Sequence, residues 1–163
     1  MWAGRLGGVR RSIGLMVLMG FGAAGWSQSK PPFELKMVKG TWVLASIYKT
    51  RNVPGVDRAQ AEKLVSTQIT YGERSVTACG ESIPITGINS RKQSRSFFFD
   101  DWRVRFDEVG VRGASITELA IESDQTGSCF GTFSLPGMDV YVKGPDELLV
   151  NFGGVFFRAV RKK

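Results

Sequence analysis

The chain contains no histidine. Ser-His-Asp triads, Cys-His pairs and histidine-ligated zinc are therefore excluded together. Cysteine is scarce as well: Cys79 and Cys129 are the only two, too few for a structural zinc site. No glycine-rich loop runs into a Lys-Ser or Lys-Thr pair, so a nucleotide-binding phosphate cradle is missing. Gly153-Gly154 falls between two strand-like stretches, where a tight turn accounts for it. Long basic runs are absent. Arg91-Lys92 with Arg95, and Arg161-Lys162-Lys163, are the only local clusters, and they read as a solvated loop and a frayed terminus. Nucleic acid is not an expected partner. Adjacent carboxylates occur at Asp100-Asp101 and Asp146-Glu147, but neighbours on a strand face opposite ways, and turn or capping roles explain both pairs. The expectation is a protein that is not an enzyme and needs no metal or cofactor.

What is present begins with a leader. Arg5, Arg10 and Arg11 precede an apolar run over residues 13–24, and small residues follow at cleavage spacing, Gly22/Ala24 or Gly25/Ser27. This is the order of a secretory signal peptide. The run falls short of the roughly 20 apolar residues that span a bilayer. Residues 1–27 are thus expected to be cleaved rather than kept as a membrane anchor, leaving 28–163 in the periplasm or outside the cell. Losing 27 of 163 residues leaves 136, the size of one domain. The leader also takes three of the 22 basic residues, so 19 face 15 acidic ones and the net charge falls from +7 to +4. In an exported chain an even pair of cysteines forms a bridge, here Cys79–Cys129.

The rest reads as short strands broken by turn residues. Residues 39–48 alternate, with Trp42 and Leu44 on one face and Val43, Ala45 and Ile47 on the other. Residues 68–71 and 75–78 flank Gly72-Glu73 as a hairpin, and 83–88, 115–122 and 129–135 follow as strands. The last set is the clearest: 139–143, the turn Gly144-Pro145-Asp146, 147–152, Gly153-Gly154 and 155–161. Many short strands without alternating helices predict an all-β fold, a barrel or a sandwich, and a Gly-x-Trp on the first strand with a basic residue on the last favours a single antiparallel barrel. One short helix is predicted at 57–65, after the first strand and capping the open end of the barrel. Asp57 is its N-cap, Gln60 completes a capping box, and Ala61, Leu64 and Val65 form its apolar side. Periodicity alone leaves 97–106 open between a strand and a loop running into a helical turn.

Three sets of residues are candidates for function or closure. Gly40 and Trp42 open the first strand and a basic residue closes the last, so the indole would plug one end with an arginine across its face. The aromatic run Phe97, Phe98, Phe99, Trp102 and Phe106 lies beside Arg103 and Arg105. Core packing explains such rings, and so does a mouth for an apolar or amphipathic molecule, with Phe97, Phe99 and Trp102 lining it and Arg103 or Arg105 holding an acidic head group. Residues 141–146 form either a plain hairpin turn or a loop presenting Lys143 to a protein partner, as in an exported enzyme inhibitor.

Lys39-Gly40-Thr41-Trp42 at the start and Gly154-Val155-Phe156-Phe157-Arg158 at the end resemble the lipocalin-like, or calycin, small barrels, in particular short exported bacterial members of unassigned function. The resemblance implies that Gly40 lets the chain turn beneath the barrel, that Trp42 fills the closed end and that Arg158 packs over it. Strand alternation puts Arg158 and Arg161 on opposite faces, and Arg161 is the other candidate. The Thr-Asp-Tyr-type signature of lipocalins proper is not reproduced, and the short chain implies a small or side-chain-filled interior. The function implied is non-catalytic binding of a small apolar or amphipathic ligand.

Overall fold

The computed structural model describes residues 35–51, 55–129 and 135–163. The expected leader and most of the expected strand at 129–135 lie outside these residues. In chain order the elements are α1 (Leu35–Val38), β1 (Gly40–Thr50), α2 (Arg58–Leu64), β2 (Gln68–Tyr71), β3 (Ser75–Ala78), β4 (Glu81–Pro84), β5 (Gly87–Ser94), α3 (Arg95–Trp102), a 3₁₀ turn (Asp107–Val109), β6 (Ser115–Glu122), β7 (Asp139–Val142), β8 (Glu147–Phe152) and β9 (Val155–Arg161). The strands make one antiparallel sheet in the order β4-β3-β2-β1-β9-β8-β7-β6-β5. The first and last strands therefore pair at its centre, and the sheet curls into a half-barrel.

The two edges are neighbours in the chain. Only Ile85 and Thr86 separate β4 from β5; the Ile85 N–H donates to the Arg74 carbonyl on one side, and the Thr86 N–H to Glu122 on the other. The single strand expected at 83–88 is thus two strands around a corner. Pro84 ends the first because it has no N–H to continue the ladder. The Cys79–Cys129 bridge, with Cα atoms 5.5 Å apart, ties the β3–β4 turn to the loop after β6. The Ser128 N–H adds a bond to Glu81 in the same place. A formed disulfide belongs to an oxidising compartment.

Both faces of the sheet are covered, by different means. The concave face is filled by side chains: Trp42, Leu44, Ile69, Tyr71, Leu119, Val140, Leu148, Val150 and Phe157 are buried there with Leu35 and Val38 of α1. β2 pairs with Gly40–Val43 of β1, and α2 packs against the same strand with Ala61 and Leu64 in the core. The capping box forms as the sequence implies, with the Gln60 N–H donating to Asp57 (2.7 Å) and the Asp57 N–H to the Gln60 side chain (3.0 Å). Ile47 departs from simple alternation. Bulges between Leu44 and Ser46, and between Ile47 and Lys49, set Ile47 opposite Phe157 and turn it to the concave core. An extra residue in one strand reverses the face of all that follow.

The outer face carries a second, smaller core of Phe98, Val104, Phe106, Val109, Val111, Ile116, Tyr141, Leu149 and Phe156. Its roof is α3, so the open stretch 97–106 is a helix and its exit, and α2 is not the only helix. The Ser94 hydroxyl caps α3 by accepting from the Phe97 N–H, and Arg103 closes it in the left-handed conformation. Helical spacing sends only one of three consecutive phenylalanines inward. Phe98 is fully buried and Trp102, four residues on, lies on the same side, whereas Phe97 (67%) and Phe99 (41%) stay exposed.

Candidate functional site

The barrel-closing residues come together at one end. Trp42 is fully buried, and its indole N–H donates to the Val38 carbonyl at 2.6 Å. The arginine over it is Arg161, 4.1 Å from the ring centroid, and not Arg158. Trp42 is the direct cross-strand partner of Arg161, so the two share a face. Arg158, three positions earlier, faces outward and bonds Glu147 at 3.0 Å. Arg161 also donates to the carbonyls of Lys39 (2.8 Å) and Pro145 (2.7 Å), stitching α1 and the β7–β8 turn across the closed end. Gly40 is needed beneath it: its φ is +116°, and an added Cβ would stand 2.9 Å from the Arg161 guanidinium. No buried side-chain polar atom of this constellation lacks a partner, which marks it as structural.

The aromatic run does not act as one patch. Phe98 and Phe106 are core, edge to face at 5.1 Å. Phe97 and Phe99 lie on the solvent side of α3, with the Arg103 guanidinium 5.6 Å from the Phe99 ring and paired to Asp100. Arg105 pairs with Asp107 and Glu108. Neither arginine reaches the cleft described next. Of the five proposed ligand-facing residues only Trp102 does.

Residues 143–146 form the plain hairpin turn between β7 and β8, and Lys143 is not presented: it is turned inward with its side chain 10% exposed. It donates to the Tyr48 hydroxyl (2.8 Å), the Val109 carbonyl (3.2 Å) and Glu147. Burial raises the Glu147 pKa, but the hydrogen bonds from Lys143, Tyr48 and Arg158 outweigh it, and the carboxyl ends below its ordinary range. A depression of about 360 Å³ lined by Tyr48, Gly110, Arg112, Lys143 and Glu147 lies here. Its lysine and carboxylate already satisfy each other.

A cleft of about 430 Å³ opens at the other end of α3, lined by Asn89, Ser90, Arg91, Trp102, Glu118, Ala120 and Asp139. Strand register builds its floor. Asn89, Ala120, Asp139 and Asn151 are successive cross-strand partners on β5, β6, β7 and β8, and Ala120 leaves the gap in the row. One strand position further, Arg91 bonds Glu118 and reaches Asp101 of α3 at 3.0 Å, fastening the helix to the sheet. The Gln93 amide (2.6 Å) and the Tyr141 hydroxyl (3.1 Å) complete the shell of Glu118. Burial raises the Tyr141 pKa, and the Glu118 carboxylate adds to the rise.

Hydrogen-bonding capacity is left over around this cleft. The Asp139 side chain carries no hydrogen bond or ion pair among the described residues; burial, then the nearby Glu118 charge, raises its pKa, while Arg91 opposes the rise. The Asn151 side chain beside it is 5% exposed and its carbonyl oxygen has no partner. The Trp102 N–H is buried beside the Tyr141 hydroxyl, close enough to offset part of that group's shift, yet short of a hydrogen bond. Buried polar groups without partners are rare in folded proteins and need a reason. Sequence reasoning missed Asn89, Arg91, Glu118, Ala120, Asp139 and Asn151. No local motif carries them, because the sheet alone places them in two neighbouring rows.

No family model, no curated protein and no solved structure matches the chain.

Proposed function

We propose that this is an exported, non-catalytic binding protein, periplasmic or secreted after loss of residues 1–27, that holds a small amphipathic molecule. The lipocalin-like reading is kept for its layout, a curled sheet whose first and last strands pair beside a Gly-x-Trp with a buried indole. The binding place is moved from the barrel interior to the cleft beneath α3. The observation that carries this is the contrast in filling. The concave face is packed with aliphatic and aromatic side chains, whereas the outer-face cleft is open, has an aromatic wall and retains unpaired polar atoms. Its volume of about 430 Å³ falls in the range of small-molecule sites.

Native mass spectrometry of protein taken from its export compartment tests this, with Ala120→Leu as the comparison. Leucine at position 120 fills the gap in the floor without entering the concave core. The expected result is a small-molecule adduct on the wild type that the variant lacks. An adduct kept by Ala120→Leu, or none on the wild type, contradicts the reading. The alternative, a protein-binding or inhibitory module, no longer has a presented Lys143 to work through. It is favoured only by the exposed pair Phe97 and Phe99. Phe97→Ser with Phe99→Ser would abolish partner capture under that alternative and leave small-molecule binding intact under ours.

A further inference from the structure

The chemistry left unsatisfied in the cleft selects a class of ligand. The acceptors without a partner are the Asp139 carboxylate on the cleft lining and the buried side-chain oxygens of Asn151 and Gln93 near it, and the buried donor without one is the Trp102 N–H. Arg91 already commits two of its N–H groups to Glu118 and Asp101, so its charge is offset by carboxylates of the protein itself. The charges that act on Asp139 are Glu118 from β6 and Arg91 from β5, and Arg91 is bonded to Glu118, so Asp139 has no counter-ion of its own; at the Trp102 wall Arg51 stands 5.7 Å from the ring centroid. A desolvated carboxylate without a partner is costly, and a charged donor offsets that cost better than a neutral one. A metal ion does not fit: among the described residues no three acidic side chains converge closely enough to hold one. The wall opposite the acid is the Trp102 indole, edge to face with Phe156 at 5.6 Å.

We propose that the cleft beneath α3 recognises a small organic amine, with Asp139 and Asn151 taking its ammonium group and Trp102 its apolar body. This deepens the binding reading above and rests on it. The two are separable, because the site can bind small molecules without preferring amines. Asp139 is the specificity-determining residue. Trp102 shapes the site, and Arg91 with Glu118 holds the helix and sheet at the spacing the ligand needs.

Three probes with one phenyl body separate the possibilities: 2-phenylethylamine, 2-phenylethanol and 3-phenylpropionate. Each is titrated into ¹⁵N-labelled protein while the indole N–H resonances are followed, Trp102 being assigned by its disappearance in Trp102→Phe. The expected result is a saturable shift of the Trp102 resonance, with the amine binding about tenfold or more tighter than the alcohol and the acid weakest. Asp139→Asn should remove the preference for the amine while the Trp42 resonance, a reporter of the intact fold, stays in place. Equal affinity for amine and alcohol, or an amine preference that survives Asp139→Asn, overturns the amine assignment and leaves the cleft as a binding site. No movement of Trp102 with any probe overturns both.

Discussion

Trp42 and Trp102 each sit against the β-sheet beside an arginine, on opposite faces, and they differ in what surrounds their N–H groups. Trp42 is fully buried, bonded to Val38 and covered by Arg161 at 4.1 Å. Trp102 is half-buried, has Arg51 at 5.7 Å and no acceptor for its N–H. The first arrangement leaves nothing for a ligand to do. The second leaves an indole and a half-buried carboxylate along one open cleft, with an unpaired side-chain carbonyl on the next strand. Aromatic residues beside cations are therefore no guide to a site by themselves; the unsatisfied polar atoms distinguish a plug from a pocket.

Mutations can break this comparison in order of size. Trp42→Ala should cost about 3–5 kcal/mol, the range for emptying a buried aromatic site, and Trp102→Ala about 1–2 kcal/mol because its ring is only half-buried; chemical denaturation measures both. Replacing both cysteines by serine opens a loop with a sequence separation of 50 and should cost about 4 kcal/mol by loop entropy. The loss should appear as an earlier melt and as faster proteolysis near the β3–β4 turn. Arg161→Met, which removes the stacked cation and two carbonyl bonds, should cost about 1–2 kcal/mol, against under about 1 kcal/mol for Arg158→Met at a more exposed ion pair.

The smallest effects carry opposite signs with pH. Glu147 has a lowered folded pKa, so its stabilisation is present above the ordinary carboxylate value and is lost as pH falls through the folded one. Glu147→Gln should flatten that acid limb. Asp139 has a raised folded pKa, so the native state favours its protonated form and loses stability as pH rises from the ordinary carboxylate value to the folded one. Asp139→Asn should therefore stabilise the protein at neutral pH by up to about 1 kcal/mol while weakening amine binding. Thermal melts from pH 3 to pH 8 on both variants check the two signs.

β1 to Leu44 and most of β6 were legible from alternation, whereas β7, β8 and β9, buried on both faces, were legible from the turn residues Gly144-Pro145-Asp146 and Gly153-Gly154 that bound them. The capping box of α2 was legible because Asp57 and Gln60 are local. β5 was not: its outward residues Asn89, Arg91 and Gln93 are polar even though a helix covers part of that face, so no period marks it. The helix at Arg95–Trp102 was hidden by three adjacent phenylalanines that satisfy either period. The choice of Arg161 over Arg158 was within reach, since parity along β9 from Phe157 puts Arg161 beside Trp42. The meeting of Asp139 with Trp102 was not, because only the sheet order brings β7 under α3.

The central claim is that small molecules enter beneath α3 and not between the strands of the concave face. The most direct measurement records both indole resonances during one titration with 2-phenylethylamine. The account predicts that Trp102 shifts to saturation while Trp42 stays fixed. A shift of Trp42 with Trp102 unmoved would contradict it and return the ligand to the barrel interior.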